Sequence, residues 1–253
     1  VVESIAQGDL SRRVSVRNPQ ELKRLGDSFN DMADSLQKAE QNRRIMTADI
    51  AHELRNPLAV QRANLEAIQD GIYPFTPASL EPVLEQNRLL NRLVEDLRTL
   101  ALADAGELPL VKRPTDLNGL LQNALERFKA DAAARGINLE LNGTDTLPDL
   151  SLDPERIMQI LHNLLQNAVR HTPPGGFVHV GLHKEASWVE VSIRDSGPGI
   201  PAESMPFLFD RFYRADPGRS REDGTTGLGL SISRKLAEAH NGTLTARNHP
   251  QGG

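Results

Sequence analysis

Apolar residues at Leu22, Leu25, Phe29, Met32, Leu36 and Ala39 recur at alternating steps of three and four, with charge on both flanks at Glu21, Lys23, Arg24, Asp27, Asp34 and Lys38. That spacing is the seam of a coiled coil, an apolar stripe too narrow to be buried by its own helix, so it demands a partner. Residues 1–41 are therefore expected to be helical and dimerising. The stripe resumes at Ile50, Leu54, Leu58, Leu65 and Ile68 and is broken by Gly71, Pro74 and Pro77. It returns at Val83, Leu90, Leu93, Leu97 and Leu100. Residues 42–105 thus read as a helical hairpin with an apolar stripe on each arm. Two copies would bury those stripes best as a four-helix bundle.

Beyond Ala105 the pattern changes. Gly106, Pro109 and Pro114 mark a linker over 106–115, and residues 116–253 read as a mixed α/β domain. Leu117 to Arg135 has helical spacing, and Ile137, Leu139 and Leu141 alternate as in a strand. Asp153-Pro154 supplies an N-cap followed by proline at the first helical position. The helix that follows would bury Ile157, Ile160, Leu161, Leu164 and Ala168. Val178, Val180 and Leu182, then Val189, Val191 and Ile193, alternate across the polar turn Lys184 to Ser187, the signature of a hairpin. The expected fold class is α plus α/β, a helical-hairpin domain followed by a mixed α/β domain.

Composition removes whole classes of function. A net charge of −5 with no block of one sign argues against a nucleic-acid surface. No cysteine is present, which excludes disulfides, thiol catalysis and thiolate metal sites. No apolar run approaches the ~20 residues of a membrane span, so this portion is expected to be soluble. With aromatics at only 4%, the core must rest on Leu, Ile, Val and Ala.

Three segments carry chemistry suited to a nucleotide. Asn163, Asn167 and Arg170 share one side of their helix, with His171 at its edge. Amide oxygens suit magnesium and the arginine suits phosphate, although the same pair could simply face solvent. Asp195-Ser196-Gly197-Pro198-Gly199-Ile200 follows a strand. Its carboxylate could accept from an exocyclic amino group while the glycines let the backbone pass a flat ring; a tight turn fits equally well. Gly224-Thr225-Thr226-Gly227-Leu228-Gly229-Leu230 leads into a helix from Ser231 to His240, and glycines at a helix N-terminus form a phosphate cradle. Neither a P-loop nor a dinucleotide fingerprint is present. Between these segments, Phe207 to Arg214 is either an aromatic cluster under a loop or the hinge of a lid.

Taken in order, these segments resemble the N, G1, F and G2 boxes of bacterial sensor histidine kinases. The resemblance implies the Bergerat ATP-binding fold shared with gyrase, Hsp90 and MutL. It also implies a site for ATP and Mg2+ in which Asn167 helps hold the metal and Asp195 reads adenine. Upstream, Ala48-Asp49-Ile50-Ala51-His52-Glu53-Leu54-Arg55-Asn56-Pro57-Leu58 resembles the H box of the same family's dimerisation domain. With Ile50, Leu54 and Leu58 inward, His52, Glu53 and Asn56 are expected to face outward. A neutral imidazole can act as nucleophile near pH 7. His52 is thus the expected phosphoacceptor and Glu53 its base. The resemblance implies that Asn56 positions water for dephosphorylating a partner receiver domain. A different ATPase of the same fold, or a dimer that has lost catalysis, are the competing readings, and the H box with an intact Asp195 weighs against both.

Ile5-Ala6-Gln7-Gly8-Asp9-Leu10 ahead of the first seam resembles the second half of a HAMP linker, which implies a membrane-bound sensor upstream and a position on the cytoplasmic face. At the other end, Asn248 to Gly253 stops where the family continues into a final strand, so a truncated sheet is expected. The expected partners are a second copy of the chain and a response-regulator receiver domain.

Overall fold

A computed structural model describes residues 13–14, 20–144, 147–185, 187–215 and 226–249. The chain divides into two compact units, Val1–Asn87 and Arg88–Gly253.

In the first unit a single helix, α1, runs over Gln20–Gln69. The seam and the first arm of the hairpin, read as separate regions meeting at residue 41, are one continuous helix, because nothing between Leu36 and Ile50 breaks the helical pattern. Alongside it, Asn30 brackets the backbone of Val14, accepting from its N–H at 2.8 Å and donating to its carbonyl at 2.9 Å. Arg13 pairs with Asp34. The rest of residues 1–19, which carry the HAMP resemblance, lie outside the described residues. The helix passes through Pro57, which has no N–H to offer the Glu53 carbonyl. Gly71 (φ +74) ends it, with Ile72 N–H bonded to Ala67 O and Gly71 N–H to Ile68 O. That pair of bonds is a Schellman cap. Helix α2, Pro77–Asp104, crosses from the first unit into the second. It starts on a reciprocal cap in which Thr76 and Ser79 each accept the other's backbone N–H.

The same Schellman geometry ends three further helices. It falls at Gly106 after α2, at Gly136 after α3 (Leu117–Ala134), and at Asn241 after α5 (Gly229–Ala239). Helix α4, Pro154–His171, opens on Asp153, whose carboxylate accepts from Glu155 and Arg156.

Two small sheets make up the β structure. Strand β1, Arg113–Thr115, pairs antiparallel with β3, Leu150–Leu152. Its residues were expected to belong to the linker; Thr115 Oγ1 donating to Leu152 O at 3.3 Å helps fix them to the second unit instead. The larger sheet has the order β2-β4-β5, with β2 (Asn138–Thr144) parallel to β4 (Phe177–Lys184) and β4 antiparallel to β5 (Val189–Asp195). The central strand sends Val178, Val180 and Leu182 into the core. They meet Leu121, Leu125 and Phe128 of α3 and Leu161, Leu165, Ala168 and Val169 of α4. Ile160, Leu161 and Ala168 are buried as expected from sequence, while Leu165 is fully buried and Leu164 only half so. Leu228, Ile232 and Leu236 are completely buried where α5 packs on α4. Among the described residues no helix is long and apolar enough to cross a membrane.

Candidate nucleotide site and phosphoacceptor helix

The sequence segments singled out for a nucleotide lie along the C-terminal half of α4, the Gly-rich segment at Asn163 and the Asp195 turn at His171. Residues 195–200 leave β5 and turn across the last turn of that helix. A side chain at Gly197 would put its Cβ 2.7 Å from Asp195 Oδ1 and 2.8 Å from the His171 carbonyl oxygen, so only glycine fits. The Gly197 N–H donates to Asp195 Oδ1 at 2.8 Å, which fixes one oxygen of the half-buried carboxylate. Ser196 ties the turn to β4, donating its N–H to Phe177 O at 3.0 Å and accepting from Phe177 N–H at 2.8 Å.

Asn163 reaches the other side of the site. Its amide nitrogen donates to Gly229 O at 3.1 Å and to Ser233 Oγ at 3.3 Å, holding the first turn of α5 against α4. Asn167 and Arg170 lie half-buried on the same face further along α4, and His171 is exposed at its end. At Gly227 (φ +70) a Cβ would lie 2.9 Å from the Phe212 backbone, and Phe212 (φ +58) donates its N–H to Gly227 O at 3.0 Å. This contact joins the segment after the 3-10 turn Met205–Phe207 to the start of α5. Leu228 is fully buried, so within the Gly-rich segment it anchors the loop while Gly229 and the half-buried Leu230 begin the helix. Gly224 and Thr225 lie outside the described residues; Thr226 accepts from Leu228 N–H at 3.3 Å. Phe207 is half exposed, 5.8 Å from the ring of Tyr213, and Arg214 is half-buried, so the aromatic segment is not a sealed cluster. Arg211 pairs with Asp104 at the end of α2, and Lys235 lies 4.0 Å from the same carboxylate.

Sequence reasoning missed two long-range ties in this unit, one at the start of α4 and one at the Asp195–Ile200 turn. Asp153, read only as an N-cap, also accepts from Val111 N–H at 2.8 Å, while its own N–H donates to His240 Nε2 at 3.1 Å. Asn248, read only as part of a truncated end, bonds the backbone of Ile200. Neither long-range tie leaves a periodic or local trace in the sequence.

His52, Glu53 and Asn56 lie in the first unit, on α1. His52 and Asn56, four residues apart, are both exposed on one face, whereas Glu53 is half-buried and Pro57 buried. The expected inward residue Leu58 is half exposed.

The described residues thus form a helical hairpin bearing an exposed histidine, followed by an α/β domain with a glycine-framed carboxylate and a helix that opens on a Gly-rich segment. Residues 42–106 match the His Kinase A (phospho-acceptor) domain, residues 152–253 the histidine kinase-, DNA gyrase B- and HSP90-like ATPase, and residues 1–38 the HAMP domain. The signal transduction histidine-protein kinase BaeS of Escherichia coli (strain K12) is 40% identical over 249 residues, 98% of this chain and 53% of that protein. Among solved structures, Acinetobacter baumannii histidine kinase AdeS superposes with a TM-score of 0.63 at 29% identity, covering 74% of this chain and 86% of that one. Histidine kinase ThkA, solved in complex with response regulator protein TrrA, gives 0.64 at 25% identity, covering 86% and 63%. The chain belongs to the sensor histidine kinases of two-component systems. It spans about half the length of the curated relatives it matches.

Proposed function

We propose that this chain is the kinase portion of a sensor that phosphorylates its own His52 from ATP and passes the phosphoryl group to an aspartate of a response regulator. The observation that most supports this is an exposed imidazole beside Glu53 on α1, in a chain whose second unit has the ATPase fold. One ring nitrogen of His52 attacks the γ-phosphorus, the bond to the β-bridging oxygen breaks, and ADP leaves. The proton on the other nitrogen passes to Glu53.

ATP fits the site as built. The second oxygen of Asp195 is available to the adenine amino group, and the N-terminus of α5 faces the phosphates with Arg170 nearby on α4. Among the described residues no group of three or more His, Asp or Glu could hold a metal ion by itself. Asn167 supplies one amide oxygen, which suits Mg2+ held mainly by phosphates and water; when bound it neutralises charge on the transferring group. Asn163, Gly199, Ile200, Phe207, Arg214 and Thr226 to Leu230 frame the rest of the site, to which Gly224 and Thr225 are assigned from sequence alone.

Within this scheme residues 1–41 relay a signal, 42–105 dimerise and carry the phosphoryl group, and 116–253 bind the nucleotide. Residues 106–115 connect them, the last three already in β1. The exposed apolar stripe on α1 is covered by a second copy of the chain. ThkA, crystallised with a response regulator, supports a receiver domain as the acceptor. Asn56, one turn beyond His52, orients water that hydrolyses the receiver's aspartyl phosphate to aspartate and inorganic phosphate. The HAMP match supports anchorage of the whole protein at the cytoplasmic face of a membrane.

Incubation with γ-labelled ATP and magnesium tests the central step. The chain should acquire acid-labile, alkali-stable label, and His52→Gln should fall to background. Label persisting in His52→Gln would overturn the assignment.

A further inference from the structure

We infer that Asn248 is a positioning residue for the adenine end of the nucleotide site, an inference that rests on the ATP reading proposed above. Its side-chain Oδ1 accepts from Ile200 N–H at 2.8 Å, and its Nδ2 donates to Ile200 O at 2.8 Å. One amide thus satisfies both backbone groups of the residue that closes the Asp195–Ile200 turn, as a neighbouring strand would. The chain makes the same bracket at a second place, where Asn30 holds Val14.

The turn needs that bracket because of its sequence. Pro198 and Pro201 have no N–H, so Gly199 and Ile200 are the only backbone donors between them. Gly199 takes φ +76, and a Cβ there would lie 3.3 Å from Asn248 Oδ1, so the amide lies directly against this left-handed glycine. The turn is fastened to β4 at one end through Ser196 and Phe177. At its other end Asn248, 48 residues downstream and beyond α5, supplies the bracket. Asp195 Oδ1 is bonded within the turn, to Gly197 N–H. The position of its ligand-facing oxygen therefore follows the turn, and Asn248 acts on the ligand through that carboxylate without touching it.

A residue that places a base-reading carboxylate affects which base is bound. A residue that merely stabilises the domain weakens every nucleotide alike. The test is titration calorimetry of the full chain with ATP and with GTP, both with magnesium, on the wild type, Asn248→Ala, Asn248→Asp and Asp195→Asn. Two exposed hydrogen bonds correspond to about a five- to tenfold effect. Asn248→Ala should weaken ATP by that factor and GTP by less than twofold. The rate of His52 labelling at saturating ATP and the melting temperature should change little. Asn248→Asp keeps the acceptor for Ile200 N–H but turns an oxygen toward the Ile200 carbonyl, so it should bind ATP no better than Asn248→Ala. Equal weakening of ATP and GTP, or ATP affinity within twofold of wild type in both Asn248 variants while Asp195→Asn loses it, overturns the role of Asn248 and leaves the site intact. Unchanged ATP affinity in Asp195→Asn overturns the adenine reading and this inference with it.

Discussion

Asp153 joins more of the second unit than an N-cap usually does. Its side chain accepts from Glu155 and Arg156 at the start of α4 and from Val111 just ahead of β1, and its backbone N–H reaches the ring of His240 at the end of α5. Burial alone would raise its carboxyl, but the N–H groups of Val111, Arg156 and Glu155 and the charge of Arg156 hold it below the ordinary carboxylate value. Asp153→Ala should cost about 1–2 kcal/mol, the range for a lost N-cap, and lower the melting temperature by roughly 2–8 °C. Because the folded-state value is depressed, the stabilisation is complete above the unfolded value near 4 and is lost as pH falls through the folded value. Thermal melts of wild type and variant should therefore differ most at pH 7, and the gap should narrow as pH falls below the unfolded value near 4. A constant gap across that range would show that packing, not the ionised cap, carries the effect.

At the scale of elements, legibility depended on whether the cause was local. Helix ends were legible where Gly71 and Gly106 punctuate the pattern, because a Schellman cap needs a left-handed residue that glycine supplies without strain. The β4–β5 hairpin was legible because each strand buries alternate residues. Strands β1 and β3 were not, since three residues cannot display a period and Pro114 reads as a breaker; pairing across the fold made them strands. The candidate site followed the same division. Its glycines and Asp195 stand in recognisable local segments, whereas the ties through Asn248, Asp153 and Asp104 are made by residues distant in sequence. Burial of a charge on a helix is equally invisible. Asp96 on α2 is half-buried, and this pushes its carboxyl up to about 6 against the pull of Arg92 one turn earlier. Between about pH 4 and pH 6 the folded chain then holds more protons than the unfolded one, so this group's contribution to stability falls as pH rises through that window. Asp96→Asn should remove the effect. Allowing for the solvent the group still meets, it should stabilise the chain by on the order of 1 kcal/mol at pH 7.5 and by almost nothing at pH 4. Denaturant titrations of both proteins at the two pH values measure that difference directly.

For the whole molecule, the decisive feature is the apolar surface that α1 leaves uncovered. Leu22, Leu25, Met32, Leu36, Ile45, Leu58 and Leu65 are each about half exposed or more, on a helix of 50 residues. A surface of that length is far larger than scattered surface leucines, and from Leu22 to Leu36 it follows the three-four seam that a facing helix buries. In the dimer proposed above, a second copy supplies that helix. Leu58→Glu with Leu65→Glu places four carboxylates in the shared core, where each would be desolvated without a partner cation. The dimer should weaken by on the order of 100-fold or more, since even about 3 kcal/mol of such penalty has that effect. Sedimentation equilibrium should show wild type as a dimer and the double variant as a monomer at micromolar concentration. ATP affinity should be unchanged, because the nucleotide residues all belong to the unit that begins at Arg88. A monomeric wild type would refute the dimer, and a variant that dimerises as before would show that another surface holds the copies together.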